Sequence, residues 1–227
     1  TFAIMARLQR EGLVDKVAEC QIRGGKSSAI NLGMRLASGD IVVVIDCDCS
    51  FEQDAFEELL RPFADGQVAA VSGTVLVRNG EKTITASLQS IEYMVSICLG
   101  RTALDMFGQL SIISGAFGAF SAAAFRHVGG MDQGPGEDFD LTIHLRIAGY
   151  KIRYALRSVC YTDVPVSLFN LFRQRARWER DAIWIRYLKY AWTLNPFRKD
   201  IPLKELPHQI DFLLFDVLAS IIFPFFL

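Results

Sequence analysis

The sequence predicts an α/β protein, a mostly parallel sheet with flanking helices, and three observations predict it. Residues 41–45, IVVVI, form an unbroken apolar run bounded by polar residues, as in a strand buried on both faces. Around it, helix-like stretches at 28–37 and 51–63 alternate with strand-like stretches at 41–50 and 68–77, the pattern of strands joined by covering helices. Asp46 and Asp48 then fall where the first strand leaves the sheet, the end at which parallel α/β sheets keep their ligands.

Composition narrows the function classes. The chain has 227 residues, 51% hydrophobic and 22% charged, enough for one full core and more apolar than an ordinary soluble domain, which predicts contact with lipid. A net charge of −1 argues against nucleic acid as a partner. Cysteines 20, 47, 49, 98 and 160 make no disulfide framework and fit a reducing compartment. The Cys47-Asp48-Cys49 overlap has no nearby Cys/His cluster to complete a zinc site.

Taken in order, the chain opens on a short helical stretch ended by Gly12, and 17–22 reads as a short strand. Gly24 and Gly25 make a turn into the helix at 28–37, with Lys26 and Asn31 near its start, where free backbone N–H groups favour an anionic or nucleotide ligand; a capped surface helix is the alternative. Asp46 and Asp48, one residue apart, can point to one side of a strand end and offer hard oxygens to Mg2+ or Mn2+ and, through the metal, to a diphosphate; a solvated acidic turn is the alternative. A long helix is expected over about 83–106, its Gln89, Glu92 and Arg101 forming a polar edge towards an acceptor.

Residues 110–120 are apolar but broken by Gly115 and Gly118, which suit either close approach of a backbone or ligand or tight packing. The turn MDQGPG leads to Glu137 and then Asp138, the latter in the first turn of a helix over 138–148, where an acidic residue can also serve only the helix dipole. Short strands are expected at 151–154 and 159–161. Past Pro165, arginines among aromatic residues suit a helix at a membrane interface or along the roof of a site. Residues 212–227 are almost entirely apolar, so the chain reads as a fragment of a longer membrane protein, cut upstream within the catalytic fold and downstream within a transmembrane helix. His144 and His208 lack metal-ligand spacing with another histidine and read as structural or superficial.

Lys26 with Asn31, Asp46-Cys47-Asp48, SGAFGAF, Glu137-Asp138 and Gln174-Arg175-Ala176-Arg177-Trp178 occur in an order that closely resembles the processive family 2 glycosyltransferases, which include cellulose, hyaluronan, chitin and poly-N-acetylglucosamine synthases. The resemblance covers roughly residues 12–195. It implies a glycosyltransferase A-type, Rossmann-like sheet, followed by interface helices and the start of a transmembrane helix. The implied divisions are a catalytic core at 1–165 lacking its opening strand, QxxRW-containing and interfacial helices at 166–210, and a truncated transmembrane segment at 211–227.

The implied enzyme is a UDP-sugar-dependent β-glycosyltransferase that inverts configuration and, with Mg2+ or Mn2+, extends the hydroxyl end of a growing polysaccharide at a membrane. The alternative is a non-processive transferase that adds one sugar to a lipid or short glycan. In either case the resemblance makes Asp138 the general base and Asp48 the metal ligand. Asp46 would contact the uridine or ribose, Lys26 would lie near the nucleotide, and Glu137 would join the substrate site. Gln174, Arg177 and Trp178 would border the diphosphate and the terminal sugar. The implied partners are the donor, a glycan acceptor and the lipid bilayer, with a multi-pass protein in the cell membrane and a cytoplasmic catalytic domain. One departure stands out: related sequences often place Arg-Gly soon after the tryptophan, whereas this chain reads Trp178-Glu179-Arg180-Asp181.

Overall fold

A computed structural model describes residues 2–20, 24–195 and 207–208. Helix α1 (Phe2–Arg10) buries no residue, and α2 (Gly25–Leu36) leads to strand β1 (Ile41–Ile45). A two-residue strand β2 (Ser50–Phe51), helix α3 (Ala55–Leu60) and strand β3 (Val68–Val77) follow. Helix α4 (Ile84–Glu92) runs through a π-helical stretch (Tyr93–Gly100) into α5 (Arg101–Met106). Next come β4 (Phe117–Ser121), α6 (Ala122–His127), α7 (Glu137–Ile147) and β5 (Lys151–Thr162). Helix α8 (Leu168–Ile183) continues into a second π-helical stretch (Trp184–Lys189).

The five strands form one sheet in the order β1-β4-β3-β5-β2. It is mixed, which corrects the expectation of a mostly parallel sheet. Among the described residues only β3 and β5 pair in parallel, whereas β1 with β4, β3 with β4 and β2 with β5 are antiparallel. The alternation of helices and strands cannot fix direction, because a connection of a dozen or more residues can return a strand either way. Here β4 runs back between β1 and β3.

Strand β1 explains its own apolar run. Val42 and Val44 pack against a core with Phe120, Leu141 and Leu145, while Ile41 and Val43 pack against a second core with Leu59, Val71 and Phe117. Both faces are thus covered, but β1 ends the sheet, so its first four residues are half-buried and Ile45 is exposed.

Three local expectations change for identifiable reasons. Residues 17–20 form no strand, and 21–22 lie outside the described residues. The helix expected over 51–63 is shorter, because Phe51 is drawn into β2 opposite Cys160 and rests its ring on Phe117 at 5.0 Å, and the segment after Leu60 tightens into a 3-10 turn at Pro62. The two strands expected near 151 and 159 are one strand with a register break, Ala155 pairing Gly73 and Val159 pairing Thr74. The Thr74 hydroxyl donates to the Leu156 carbonyl at 2.8 Å, so the bulged backbone keeps a partner.

The transmembrane segment expected at 211–227 lies outside the described residues, and so does much of 196–210. Among the described residues no helix is long and apolar enough to cross a membrane. Helix α8, the most arginine-rich, spans 16 residues and carries Arg173, Arg175, Arg177, Glu179, Arg180 and Asp181, against the ~20 apolar residues a span needs. On that finding the transmembrane helix, the lipid bilayer as partner, and the multi-pass cell-membrane location with a cytoplasmic catalytic domain are withdrawn.

Candidate active site

The site is built on the backbone of Ser114, Gly115 and Ala116, just before β4. Asp46 follows β1, and its N–H donates to the Ala116 carbonyl at 3.0 Å, which continues the β1–β4 pairing by one residue. Lys26, in the first turn of α2, reaches across to donate to Asp46 Oδ1 at 2.5 Å and to the Gly115 carbonyl at 2.8 Å. On its other side Gly115 donates its N–H to Asp138 Oδ2 at 3.1 Å. Gly115 therefore brackets the lysine and the aspartate, and a Cβ there would lie 3.0 Å from Asp138 Oδ2 and 3.4 Å from Lys26 Nζ. What lies close to this glycine is the chain's own polar side chains.

Asp138 is set by the start of α7. Gly136 precedes that helix with φ 66°, a left-handed conformation that favours glycine. The helix begins with Glu137, Asp138 and Asp140 in its first turn, where exposed N–H groups favour carboxylates. Phe139 N–H donates to Asp138 Oδ1 at 2.9 Å. The Thr142 hydroxyl donates to the Asp138 carbonyl at 2.6 Å and accepts from Ile113 N–H at 3.0 Å, which fastens the helix to the segment before Ser114.

The acidic pair divides its roles. Asp46 is half-buried and held by Lys26, whereas Asp48 is exposed, with the Cys49 thiol 3.9 Å from its carboxylate. Its turn is fixed instead through the backbone, by Arg78 donating to the Asp48 carbonyl at 3.1 Å. An exposed carboxylate at the end of a strand fits a hard divalent ion that takes its remaining ligands from phosphate and water. Cys47, Cys49, Cys98 and Cys160 are free thiols, and burial followed by the Asp48 and Asp46 charges pushes the Cys49 thiol up.

A second acidic group lies beyond α7. Asp132, Asp140 and His144 place ligand atoms within 4.8 Å of one another. Lys189 already stands between the carboxylates, donating to Asp132 Oδ2 at 2.6 Å and Asp140 Oδ2 at 2.7 Å, and Tyr190 donates to Asp140 Oδ1 at 2.8 Å. Burial opposes the charge of Lys189, but its bonds to Asp132 and Asp140 outweigh this and hold its pKa above the ordinary value. Glu137 lines the adjoining cleft with Gln133, Trp184 and Lys189.

Helix α8 is tied to α4 by Arg175, which donates to Glu92 Oε2 at 2.8 Å. The Arg175 guanidinium lies 4.7 Å from the centre of the Trp178 ring, so the cation on the tryptophan is Arg175, while Arg177 points to solvent. Gln174 buries its Oε1 without a hydrogen-bond partner among the described residues. Gln174, Arg177 and Trp178 make no hydrogen bond or ion pair with Lys26, Asp46 or Asp138 among the described residues. The far end of α8 does reach α7, since a Cβ on Gly136 would lie 2.6 Å from Ile185 Cδ1 and 3.6 Å from Asp181 Cβ.

Residues 4–180 match the model of the glycosyltransferase like family 2. The chain belongs to that family. A poly-beta-1,6-N-acetyl-D-glucosamine synthase of Staphylococcus aureus is 31% identical over 206 residues, which cover 90% of this chain and 48% of the synthase. The chain thus spans about half the length of that curated relative. A mannosyltransferase from Pyrobaculum calidifontis, solved with GDP-Man and Mn2+, superposes with TM-score 0.62 at 20% identity, covering 90% of this chain and 54% of its own. A second solved chain, holding UDP, GalNAc and Mn2+, gives TM-score 0.55 at 15% identity over 97% of this chain and 48% of its own. The mixed α/β fold is of the glycosyltransferase A type.

Within this family 2 chain, one neighbour of the site escaped sequence reading. Ser72 is a fully buried polar residue of β3, and its hydroxyl receives both Arg101 Nη1 at 3.1 Å and Ser114 N–H at 3.0 Å. Of the polar edge expected on the long helix, Gln89 is buried and donates to the Pro165 carbonyl at 2.8 Å, Glu92 pairs with Arg175, and only Arg101 turns towards the site.

Proposed function

We propose that this chain carries the catalytic core of an inverting transferase that moves a sugar from a UDP-sugar to the hydroxyl end of a growing glycan. The observation that carries the reading is the Gly115 bracket, which joins Lys26 and Asp46 on the donor side to Asp138 on the acceptor side. Family membership, a synthase relative, and a fold neighbour holding UDP and Mn2+ support it.

In this reading Asp138 is the general base. Two backbone N–H groups orient its carboxylate, and its half-buried position leaves room for an acceptor hydroxyl. The acceptor oxygen gives its proton to Asp138 and forms the new bond at the anomeric carbon. The bond from that carbon to the diphosphate breaks, and its electron pair leaves with UDP, so a single base on the acceptor side suffices for inversion. Asp46 contacts the uridine or ribose, with Lys26 holding it in place beside the nucleotide. Asp48 is the residue to hold Mg2+ or Mn2+, which when bound neutralises charge on the diphosphate. Glu137, Gln174, Arg177 and Trp178 complete the substrate site, the tryptophan offering an apolar face to the terminal sugar.

A single-addition transferase acting on a lipid or short glycan is the second reading, favoured by Glu179-Arg180-Asp181 where related sequences often carry Arg-Gly. The test supplies the full chain with individual UDP-sugars, Mg2+ or Mn2+ and glycan primers, and follows UDP release and product size and linkage. Transfer from one UDP-sugar to a primer hydroxyl is expected, with successive additions for the first reading and one for the second. Absence of transfer from every UDP-sugar rejects both.

A further inference from the structure

We infer that Ser72 and Arg101 are positioning residues for the transfer reaction, acting on Asp138 through the backbone of Ser114 and Gly115. The inference rests on the reading of Asp138 as the base. It begins from the hydroxyl of Ser72, which is fully buried in β3 and has its bonding capacity filled. The oxygen accepts from Arg101 Nη1 at 3.1 Å and from Ser114 N–H at 3.0 Å, and the hydroxyl hydrogen points to the Gly73 carbonyl at 3.3 Å. The next residue, Gly115, carries both contacts that matter for chemistry: its N–H holds Asp138 and its carbonyl holds Lys26. A shift of Ser114 therefore moves the base and the donor-side lysine together.

Arg101 is the costly member of the set. Taking a guanidinium even partly out of water is costly, and this half-buried one follows the apolar π-helical stretch Tyr93–Gly100. A π-helical stretch changes the register of a helix and so the face on which the next residue emerges. Here that face meets the sheet at Ser72. The hydrogen bonds on the Asp138 carboxylate come from the backbone of Gly115 and Phe139, and Lys26 is engaged with Asp46, so Arg101 supplies positive charge near the base from behind the bracket. Consistently, burial lowers the Arg101 pKa, and the charges of Tyr154 and Asp138 work against that.

The test uses the full chain and two readouts for Ser72→Ala, Arg101→Met and Arg101→Lys. In amide hydrogen exchange, Ser114 and Gly115 should exchange about tenfold or more faster in Ser72→Ala and Arg101→Met, with β3 and β4 protected as in the parent. In sugar transfer, Arg101→Met should lower the rate about 10- to 100-fold, as expected for misplacing a catalytic group by a fraction of an ångström to about one. Arg101→Lys should recover part of it. In the Asp138→Asn background the same Arg101→Met change should cost less than about threefold, because a residue that acts through Asp138 has nothing left to act on. Unchanged exchange at Ser114 and Gly115 overturns the bracket, and equal losses in both backgrounds overturn the action through Asp138. A parent chain that transfers no sugar overturns the functional reading and the catalytic part of this inference, while exchange still decides the bracket.

Discussion

Asp138 and Asp140 stand two residues apart on α7 and meet opposite surroundings. Successive helical residues turn by about 100°, so the two side chains leave the helix on nearly opposite sides. Asp138 is half-buried, faces the Gly115 bracket and is held by backbone N–H groups. Asp140 is 3% exposed, and its oxygens are taken by Lys189 and Tyr190. Carboxylates saturated by the protein's own side chains fasten one element to another, here α7 to the segment after α8. One oriented only by backbone retains the freedom to exchange a proton with a ligand. The same contrast separates Asp48, exposed and weakly engaged, from Asp132, which is clamped by the lysine.

Exchanging the two aspartates for amides gives the largest expected difference. Asp138→Asn should lower sugar transfer by about 10²- to 10⁴-fold, the usual contribution of a general base, with melting close to that of the parent. Asp140→Asn should do the reverse, lowering the melting temperature while transfer per folded molecule stays within several-fold. Initial rates and thermal melts on both variants decide the matter, and equal losses of transfer would erase the distinction. On the metal side, Asp48→Ala should reduce metal-dependent UDP release about 100-fold at saturating Mg2+ or Mn2+. Asp132→Ala should leave that release near the parent level, and a loss as large as for Asp48→Ala would move the metal to the wrong group.

Removing the cation from the clamp is a sharper test of its structural role. Lys189→Met leaves the Asp132 and Asp140 carboxylates facing each other, with Asp140 buried, and should cost about 3 kcal/mol of stability by chemical denaturation. No change in midpoint would mean that the clamp is idle.

The smallest effect is in pH. The hydrogen bond from Lys189 holds the Asp132 carboxyl below its ordinary pKa, so its contribution is full above an unfolded value of about 3.9 and is lost as pH falls through the lower folded value. Lys189 is raised, so its contribution is full below an unfolded value of about 10.4 and is lost as pH rises through the higher folded value. The clamp should therefore be at full strength between about pH 4 and pH 10, and Lys189→Met should flatten both limbs of the melting-temperature profile. Exposure of Asp132 keeps the acid limb small.

What the sequence determined by itself is what neighbouring residues decide among themselves. The strand Val68–Val77, the helical reach to Met106, and the helix that opens with Glu137 and Asp138 follow from side-chain periodicity, turn glycines and the preference of carboxylates for helix N-termini. The order of motifs also identified the family. Even the arginine on Trp178 was within reach, because on a helix residue 175 neighbours 178 whereas 177 points elsewhere. Strand direction, the edge position of β1 and the merging of two short strands across the bulge in β5 required the folded chain, since each depends on hydrogen bonds between strands distant in sequence. So did the site. Lys26, Asp46, Ser72, Arg101, Gly115 and Asp138 come from six separate segments, and what joins them is largely backbone N–H and carbonyl groups, which every residue but proline carries in full and which therefore leave no mark on the sequence.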